Sequence, residues 1–237
     1  MPRVAILYHF FHPDDVVSAR QFSDLAEYLA ASGWDVEALP CNRGCHQGAV
    51  FAAAETWHGI TIRRIWRPAL RQKTSRGRIF NAGWMIASWV FRLHFRARSR
   101  RPDVIIVGTD PVLSVVGAGV LKWLNPDIKV AHWAFDLYPE APIAAGMIRQ
   151  DSRLVRWIKP LLRWAYHRCD LIADIGPCMR RRLDTYSSPA RQATLVPWAL
   201  AEPTAVAKPD PALASTTFWR RALGPALLRK SRSRSRL

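Results

Sequence analysis

The chain has 237 residues, 49% of them hydrophobic, and carries 35 Lys and Arg against 18 Asp and Glu, a formal net charge of +17. That length and apolar content suffice for a substantial core and exclude a disordered or fibrous chain. Four cysteines (Cys41, Cys45, Cys169, Cys178) are too sparse for a disulfide framework and read as free thiols in a reducing cytoplasm, while the excess positive charge points to phosphate-bearing partners.

The start, Met-Pro-Arg-Val-Ala-Ile-Leu, reads as a buried strand over 3–10 and not as a signal peptide. A helix follows over 18–32, stopped by Gly33, and then a strand over 34–39. The polar loop after it holds Gly44 and Gly48. Cys41 and Cys45, with His46 and His58, carry metal-ligating groups, but their spacing fits no common zinc pattern and no second cysteine pair follows, so no metal is expected. Gly59-Ile-Thr-Ile-Arg-Arg-Ile-Trp predicts a third strand, and 78–100 a helix. A strand over 103–108 leads to Asp110, a short helix covers 111–124, and Asn125-Pro-Asp turns into a strand over 128–134. A helix over 152–168, a strand over 170–175, a short basic helix over 178–186 and a seventh strand over 193–198 complete the series. Strands separated by helices predict an α/β fold, a Rossmann-like doubly wound, mostly parallel sheet covered on both faces, with the strands at 4–10, 103–108 and 128–134 central.

Positive charge concentrates over residues 60–102, which contain twelve Lys or Arg and no Asp or Glu. Helical spacing there joins Phe80, Trp84, Phe91 and Phe95 on one side. The uncharged stretch 79–91 is shorter than the roughly 20 residues a bilayer crossing takes. It suits a helix lying in the interface, with Trp84 and Trp89 at headgroup depth and Arg92 and Arg96 toward lipid phosphate; the alternative is a sheet-packing helix with a solvated basic end. The helix over 152–168 repeats the theme. Asp151 or Ser152 caps it, and Leu154, Val155, Ile158, Leu161, Leu162 and Ala165 form its apolar stripe. Arg156, Lys159 and Arg163 lie on another face, Trp157 and Trp164 share a side, and Pro160 predicts a kink or break. The expected partner is an anionic membrane surface, and the expected location is the cytoplasm, peripherally on the inner face of the cell membrane. Nucleic acid is not expected: none of its common recognition motifs is present, and the basic residues accompany Trp on apolar helices.

The stretch Val130-Ala-His-Trp-Ala-Phe-Asp-Leu-Tyr-Pro-Glu140 is the most telling. An apolar strand ends in two carboxylates, Asp136 and Glu140, and so delivers acidic groups to the sheet's carboxyl edge, where open α/β folds bind ligands. The strand before it delivers Asp110 to the same edge.

Six segments in order resemble a known family. Tyr8-His-Phe-Phe-His-Pro is similar to its opening strand and Phe-x-Pro loop. Ala19-Arg20 and Leu25-Ala-Glu-Tyr-Leu-Ala-Ala-Ser-Gly-Trp-Asp-Val resemble its first helix and exit. His58-Gly-Ile-Thr-Ile-Arg-Arg, Arg101-Pro-Asp-Val-Ile-Ile, Phe135-Asp-Leu-Tyr-Pro-Glu and Cys169-Asp-Leu-Ile-Ala-Asp-Ile follow. Together they resemble the amino-terminal half of GT-B glycosyltransferases of family 4 (group 1), nearest to those of bacterial surface-polysaccharide synthesis. The resemblance implies an acceptor domain over 1–200, a nucleotide-sugar donor substrate, a lipid-linked or other saccharide acceptor, and no cofactor. At the strand's carboxyl edge Asp136 is the candidate base for an attacking sugar hydroxyl, with a helix cap or loop brace as the plainer role. His12, Arg20, Asp110 and Glu140 become candidate acceptor contacts; Asp110 has the same cap-or-brace alternative as Asp136, and Glu140 could instead cap the next segment. Trp133 and Trp198 are candidate stacking surfaces whose plainer reading is core.

Departures matter as much. The first loop, His12-Pro-Asp-Asp-Val-Val-Ser-Ala-Arg20, lacks the Gly-Gly pair of many relatives, Phe135 stands where some carry His, and Gly176 where many carry Ser. After residue 203 the only acidic residue is Asp210, so the Glu-x7-Glu donor motif is missing. Residues 201–237 read as a linker remnant and a basic low-complexity tail, expected from a truncated or frameshifted frame, with a genuine anion-binding tail as the alternative. The chain is then expected to be inactive alone, or to need a separate chain that supplies the donor domain.

Overall fold

The computed structural model describes residues 1–45, 49–68 and 75–195. The expected linker and tail, together with Pro197, Trp198 and the metal candidate His46, lie outside the described residues.

Among the described residues eight strands form one sheet: β1 (Arg3–Leu7), β2 (Asp35–Ala38), β3 (Ala54–Trp57), β4 (Ile60–Arg63), β5 (Val104–Val107), β6 (Lys129–Trp133), β7 (Leu171–Asp174) and β8 (Arg191–Thr194). Their order is β3-β4-β2-β1-β5-β6-β7-β8. Every pairing is parallel except β3 with β4. The expected fold class is therefore observed, with β1, β5 and β6 adjacent at the centre. These strands are apolar on both faces because helices cover both. The chain moves outward from β1 through β2 to β4, then returns to β5 and moves the other way. The order reverses between β1 and β5.

β3 is the main departure from expectation. Residues 51–57 read as part of a polar loop, yet Ala54–Trp57 pairs antiparallel with β4, Trp57 opposite Ile60. His58 and Gly59 between them both take positive φ, 47° and 79°. That is the backbone of a tight two-residue hairpin turn, and Gly59 supplies one of its left-handed positions without strain.

Helix α1 (Val17–Ala31) covers one face of β1, β2 and β4 through Phe22 and Ala26. Helices α2 (Ser75–His94), α3 (Ser114–Leu124) and α5 (Arg153–Tyr166) lie side by side on the other, with α3 between its neighbours. Met85, Trp89 and Leu93 of α2, Val115, Ala118 and Leu121 of α3, and Leu162 and Ala165 of α5 share one core with Ile105, Val107, Val130 and Ile172 of the sheet. Ser152 caps α5 as expected, its hydroxyl accepting from the Val155 N–H at 3.3 Å, and the helix runs on through Pro160. Two short helices, α4 (Glu140–Ala144) and α6 (Pro177–Asp184), follow β6 and β7.

The fold corrects half of the expected membrane set. Trp89 is 1% exposed, and its indole N–H donates to the Leu39 carbonyl at 2.7 Å. It is core, tying α2 to the strand end of β2. Arg96 makes a forked pair with Glu37 at 2.5 and 3.0 Å, which pins the end of α2 to β2 and takes the guanidinium away from lipid. Trp84 is exposed and donates to the Trp66 carbonyl at 2.7 Å, and Arg92 is exposed. The face joined by Phe80, Trp84, Phe91 and Phe95 does point outward. All four cysteines are free: Cys41 and Cys169 buried, Cys45 and Cys178 exposed.

Candidate active site

Open α/β sheets bind ligands beyond the carboxyl ends of strands where the strand order reverses. Here that place is the mouth between β1 and β5. Tyr8 follows β1 and Gly108 follows β5. A Cβ on Gly108 would stand 2.3 Å from Cδ2 of Tyr8, so a glycine there lets the Tyr8 ring lie flat on Phe22, centroids 4.2 Å apart. The next residue, His9, donates its backbone N–H to the Asp110 carbonyl at 3.0 Å. This bond extends the β1–β5 pairing beyond the strands and fixes Asp110 over the mouth.

The His9 side chain is buried, and burial, with the Arg67 guanidinium nearby, lowers its pKa to about 3. It is neutral. Its Nδ1 lies 3.5 Å from Oδ2 of Asp110, yet among the described residues neither ring nitrogen has a hydrogen-bond partner. The approach is a contact between a neutral ring and a carboxyl, not an ion pair. Burial pushes the Asp110 carboxyl up to about 6; the Asp136 carboxylate adds to the rise, and Arg67 and Arg78 oppose it. The side chain keeps 39% of its surface open, so solvent screens part of that rise. Asp136 follows β6 and is exposed, and its charge also bears on Tyr138, whose hydroxyl is pushed up mainly by burial. Asp110, Asp136, His9 and Tyr138 thus converge at one edge. A third strand-end carboxylate, Asp174 closing β7, is fully buried and spent on Arg180, the Gly176 N–H and the Thr194 hydroxyl.

Residues 18–199 match the glycosyl transferase 4-like domain family. This chain belongs to that family. A probable glycosyltransferase, WbjE of Pseudomonas aeruginosa, is 26% identical over 106 residues, covering 44% of this chain and 26% of the relative. The sucrose-phosphate synthase of Thermosynechococcus elongatus superposes with a TM-score of 0.56 at 14% identity, covering 82% of this chain and 47% of the synthase. A second structure of that synthase gives 0.50 at 13% identity, over 94% of this chain and 100% of the other. At such identities the likeness shows the fold alone, Rossmann-like as in GT-B glycosyltransferases. The chain spans about a quarter of the curated relative and about half of the full synthase.

In this glycosyl transferase 4-like domain the expected site residues divide. Asp110 and Asp136 come together. Glu140 turns inward: Oε1 accepts from the Tyr186 hydroxyl at 2.7 Å and Oε2 is buried without a partner among the described residues, so it braces α4 and leaves the acceptor set. His12 stacks on Trp57 with centroids 4.0 Å apart, and the charges that bear on it are Glu55, Arg64, His58 and Glu27. It belongs to the β3–β4 hairpin, not to the pair of carboxylates. Arg20 is exposed on the first turn of α1. Trp133 packs in an aromatic layer with Phe22 and Phe135, at 5.3 and 4.8 Å, which is the core reading. Sequence reasoning missed His9, Tyr138 and Arg67. His9 and Tyr138 flank strand-end positions that were already singled out, and that proximity was the available signal. Arg67 is one of twelve basic residues in its region, and nothing in the sequence separates it from them.

Proposed function

We propose that this domain is the acceptor half of a glycosyltransferase of cell-surface polysaccharide synthesis. It holds a saccharide acceptor, lipid-linked in this reading, while a donor domain brings the nucleotide-sugar. The observation that carries the proposal is the pairing of Asp110 and Asp136 at the switch-point edge, in a chain of this family. Asp136, the exposed member, accepts the proton of the attacking hydroxyl. The hydroxyl oxygen bonds to the anomeric carbon as the nucleoside diphosphate leaves. Asp110, its pKa raised toward 6, keeps a proton for part of the time and offers it as a hydrogen bond to a sugar oxygen. The donor half comes from a further domain or a separate chain, since the transition state needs both substrates held in one cleft.

The location we propose is peripheral, on an anionic membrane face. The outer side of the α2–α3–α5 layer supports it: Phe91, Phe95, Trp123 and Leu161 are exposed, and Trp157 is 81% exposed. Arg92, Arg156, Lys159 and Arg163 are exposed on the same helices. Aromatic rings beside basic side chains are the composition of a surface lying at headgroup depth. Among the described residues no helix is long and apolar enough to cross a membrane.

The test is sugar transfer from a panel of nucleotide-sugars to a lipid extract of bacterial membranes. The chain by itself gives none, and addition of a family donor domain gives transfer. Robust transfer by the chain alone would overturn the acceptor-half assignment.

A further inference from the structure

Two arginines that follow β4 are buried, and the chain treats them differently. Arg64 is satisfied from three sides. It donates to the Ala52 carbonyl at 3.0 Å, to the His12 carbonyl at 2.6 Å and to Oε1 of Glu55 at 2.6 Å. That is how a structural guanidinium is accommodated in a protein interior. Arg67, three residues on, is 4% exposed, yet among the described residues its Nε and Nη1 have no hydrogen-bond partner. Its backbone is held firmly: the N–H donates to Oδ1 of Asn42 at 2.9 Å and the carbonyl accepts from Nε of Arg43 at 3.0 Å. The side chain is therefore anchored at the carboxyl edge with two of its donors unused; the Cys41 thiol shares a hydrogen bond with it and the Asp110 carboxyl feels its charge.

The groups around that charge do not neutralise it. His9 is neutral, and the Cys41 thiol beside the guanidinium is pushed up to about 11 by burial. Asp110 feels Arg67, and no ion pair joins the two among the described residues. Arg78, exposed on α2, is a second cation whose charge bears on Asp110, and the Thr109 hydroxyl next to Asp110 in sequence is buried without a partner among the described residues. A buried cation with free donors at the ligand-binding edge of a sheet calls for an oxyanion. A planar guanidinium with parallel N–H groups fits phosphate best. We propose that Arg67, with Arg78, binds a phosphate group of the substrate at the mouth between β1 and β5. This rests on the acceptor-half reading only for what the phosphate is attached to: the diphosphate of a lipid-linked acceptor or that of the sugar donor.

The probe is inorganic pyrophosphate, titrated into the full chain at an ionic strength of about 0.15 M to suppress diffuse binding to the basic surface. Heat of binding and the side-chain Nε–Hε resonance of Arg67 are followed together. We expect one saturable site, a shift of the Arg67 resonance, about tenfold or more weaker binding in Arg67→Met, and partial retention in Arg67→Lys. Arg100→Met, at an exposed position before β5 on the opposite edge, should bind as the parent does. If Arg67→Met does not fold, the parent resonance decides: an Arg67 signal that stays still at saturation overturns the site. Equal binding by folded Arg67→Met and parent overturns it as well. Displacement by a short prenyl diphosphate assigns the phosphate to the acceptor, displacement by a nucleoside diphosphate assigns it to the donor, and displacement by neither overturns a substrate role. Pyrophosphate held at Arg67 with no transfer in the donor-supplemented assay removes the glycosyltransferase reading and leaves the anion site standing.

Discussion

The hydroxyl of Tyr186 donates to Oε1 of Glu140 at 2.7 Å, joining the start of α4 to the turn after α6. Tyr186 is buried and packs on Tyr166, ring centroids 4.9 Å apart, so the bond sits at the edge of the main core. It commits a carboxylate from the Asp-Leu-Tyr-Pro-Glu segment to holding that segment in place, while Asp136, four residues earlier, remains exposed. Tyr186→Phe leaves that carboxylate without its donor and should cost about 1–3 kcal/mol of stability. Chemical denaturation measures it. No loss would mean that the bond contributes nothing to the fold.

Asp110 gives the fold a pH dependence of defined sign. Its carboxyl holds a proton up to about 6 in the folded state, against an ordinary value of 3.8. The folded state therefore binds more protons between those values. Asp110's contribution to stability is fully present below about pH 4 and is lost as pH rises through about 6. Asp110→Asn should gain on the parent in thermal midpoint as pH rises across that window. A difference between the two proteins that stays flat from pH 4 to 7 would count against the raised pKa.

His132 acts in the opposite sense. It is buried in β6, its Nδ1 lies 3.0 Å from the Val107 carbonyl, and burial lowers its pKa to about 4 from 6.5. The stability it lends as a neutral ring is present above pH 6.5 and is lost as pH falls toward 4. The full effect is on the order of 3 kcal/mol at about 1.4 kcal/mol per unit. Replacement by an uncharged residue, His132→Gln, should flatten the acid limb of the stability curve between pH 6.5 and 4. An unchanged limb would place the acid sensitivity elsewhere, with His9 as the next group to examine.

Two tryptophans on the basic helices should separate stability from membrane binding. Trp89→Ala removes a ring buried among Met85, Leu93 and the sheet and should cost about 3–5 kcal/mol. Trp157→Ala together with Phe91→Ala removes exposed rings, should leave the unfolding midpoint nearly unchanged, and should weaken sedimentation with anionic vesicles severalfold. Failure of vesicles of any charge to sediment the parent protein would remove the membrane proposal.

Turnover in the donor-supplemented enzyme tests the pair of carboxylates. Asp136→Asn should lower kcat by about 10²–10⁴-fold if Asp136 takes the proton of the attacking hydroxyl. Asp110→Asn keeps a hydrogen-bonding amide and should mainly raise KM. Full activity of Asp136→Asn would leave the family membership intact and remove the proposed base.

Much of the fold was legible along the chain because its strands are buried on both faces and its helices carry regular apolar stripes. Val4–Leu7, Val104–Val107 and Val130–Trp133 could be nothing but central strands, and the family motifs sit at their ends. The antiparallel β3 was not legible. Its residues, Ala-Glu-Thr-Trp, have no apolar run, and it exists because the His58-Gly59 turn folds it back on β4. The sequence by itself therefore determined the class of sheet, the order of its layers and the two carboxylates, Asp110 and Asp136, delivered to its edge. Only the tertiary structure decided which polar and aromatic groups are free to act. Glu140 and Asp136 are alike in sequence, yet one is bonded to Tyr186 and the other exposed. Trp89 and Trp157 both lie on basic helices, yet one is core and the other surface. Arg64 and Arg67 are neighbours, yet one is saturated with acceptors and the other has none for two of its nitrogens. Local periodicity sets which side of an element is apolar, but partners for a buried polar group come from residues distant in the chain, and those are fixed only when the elements pack.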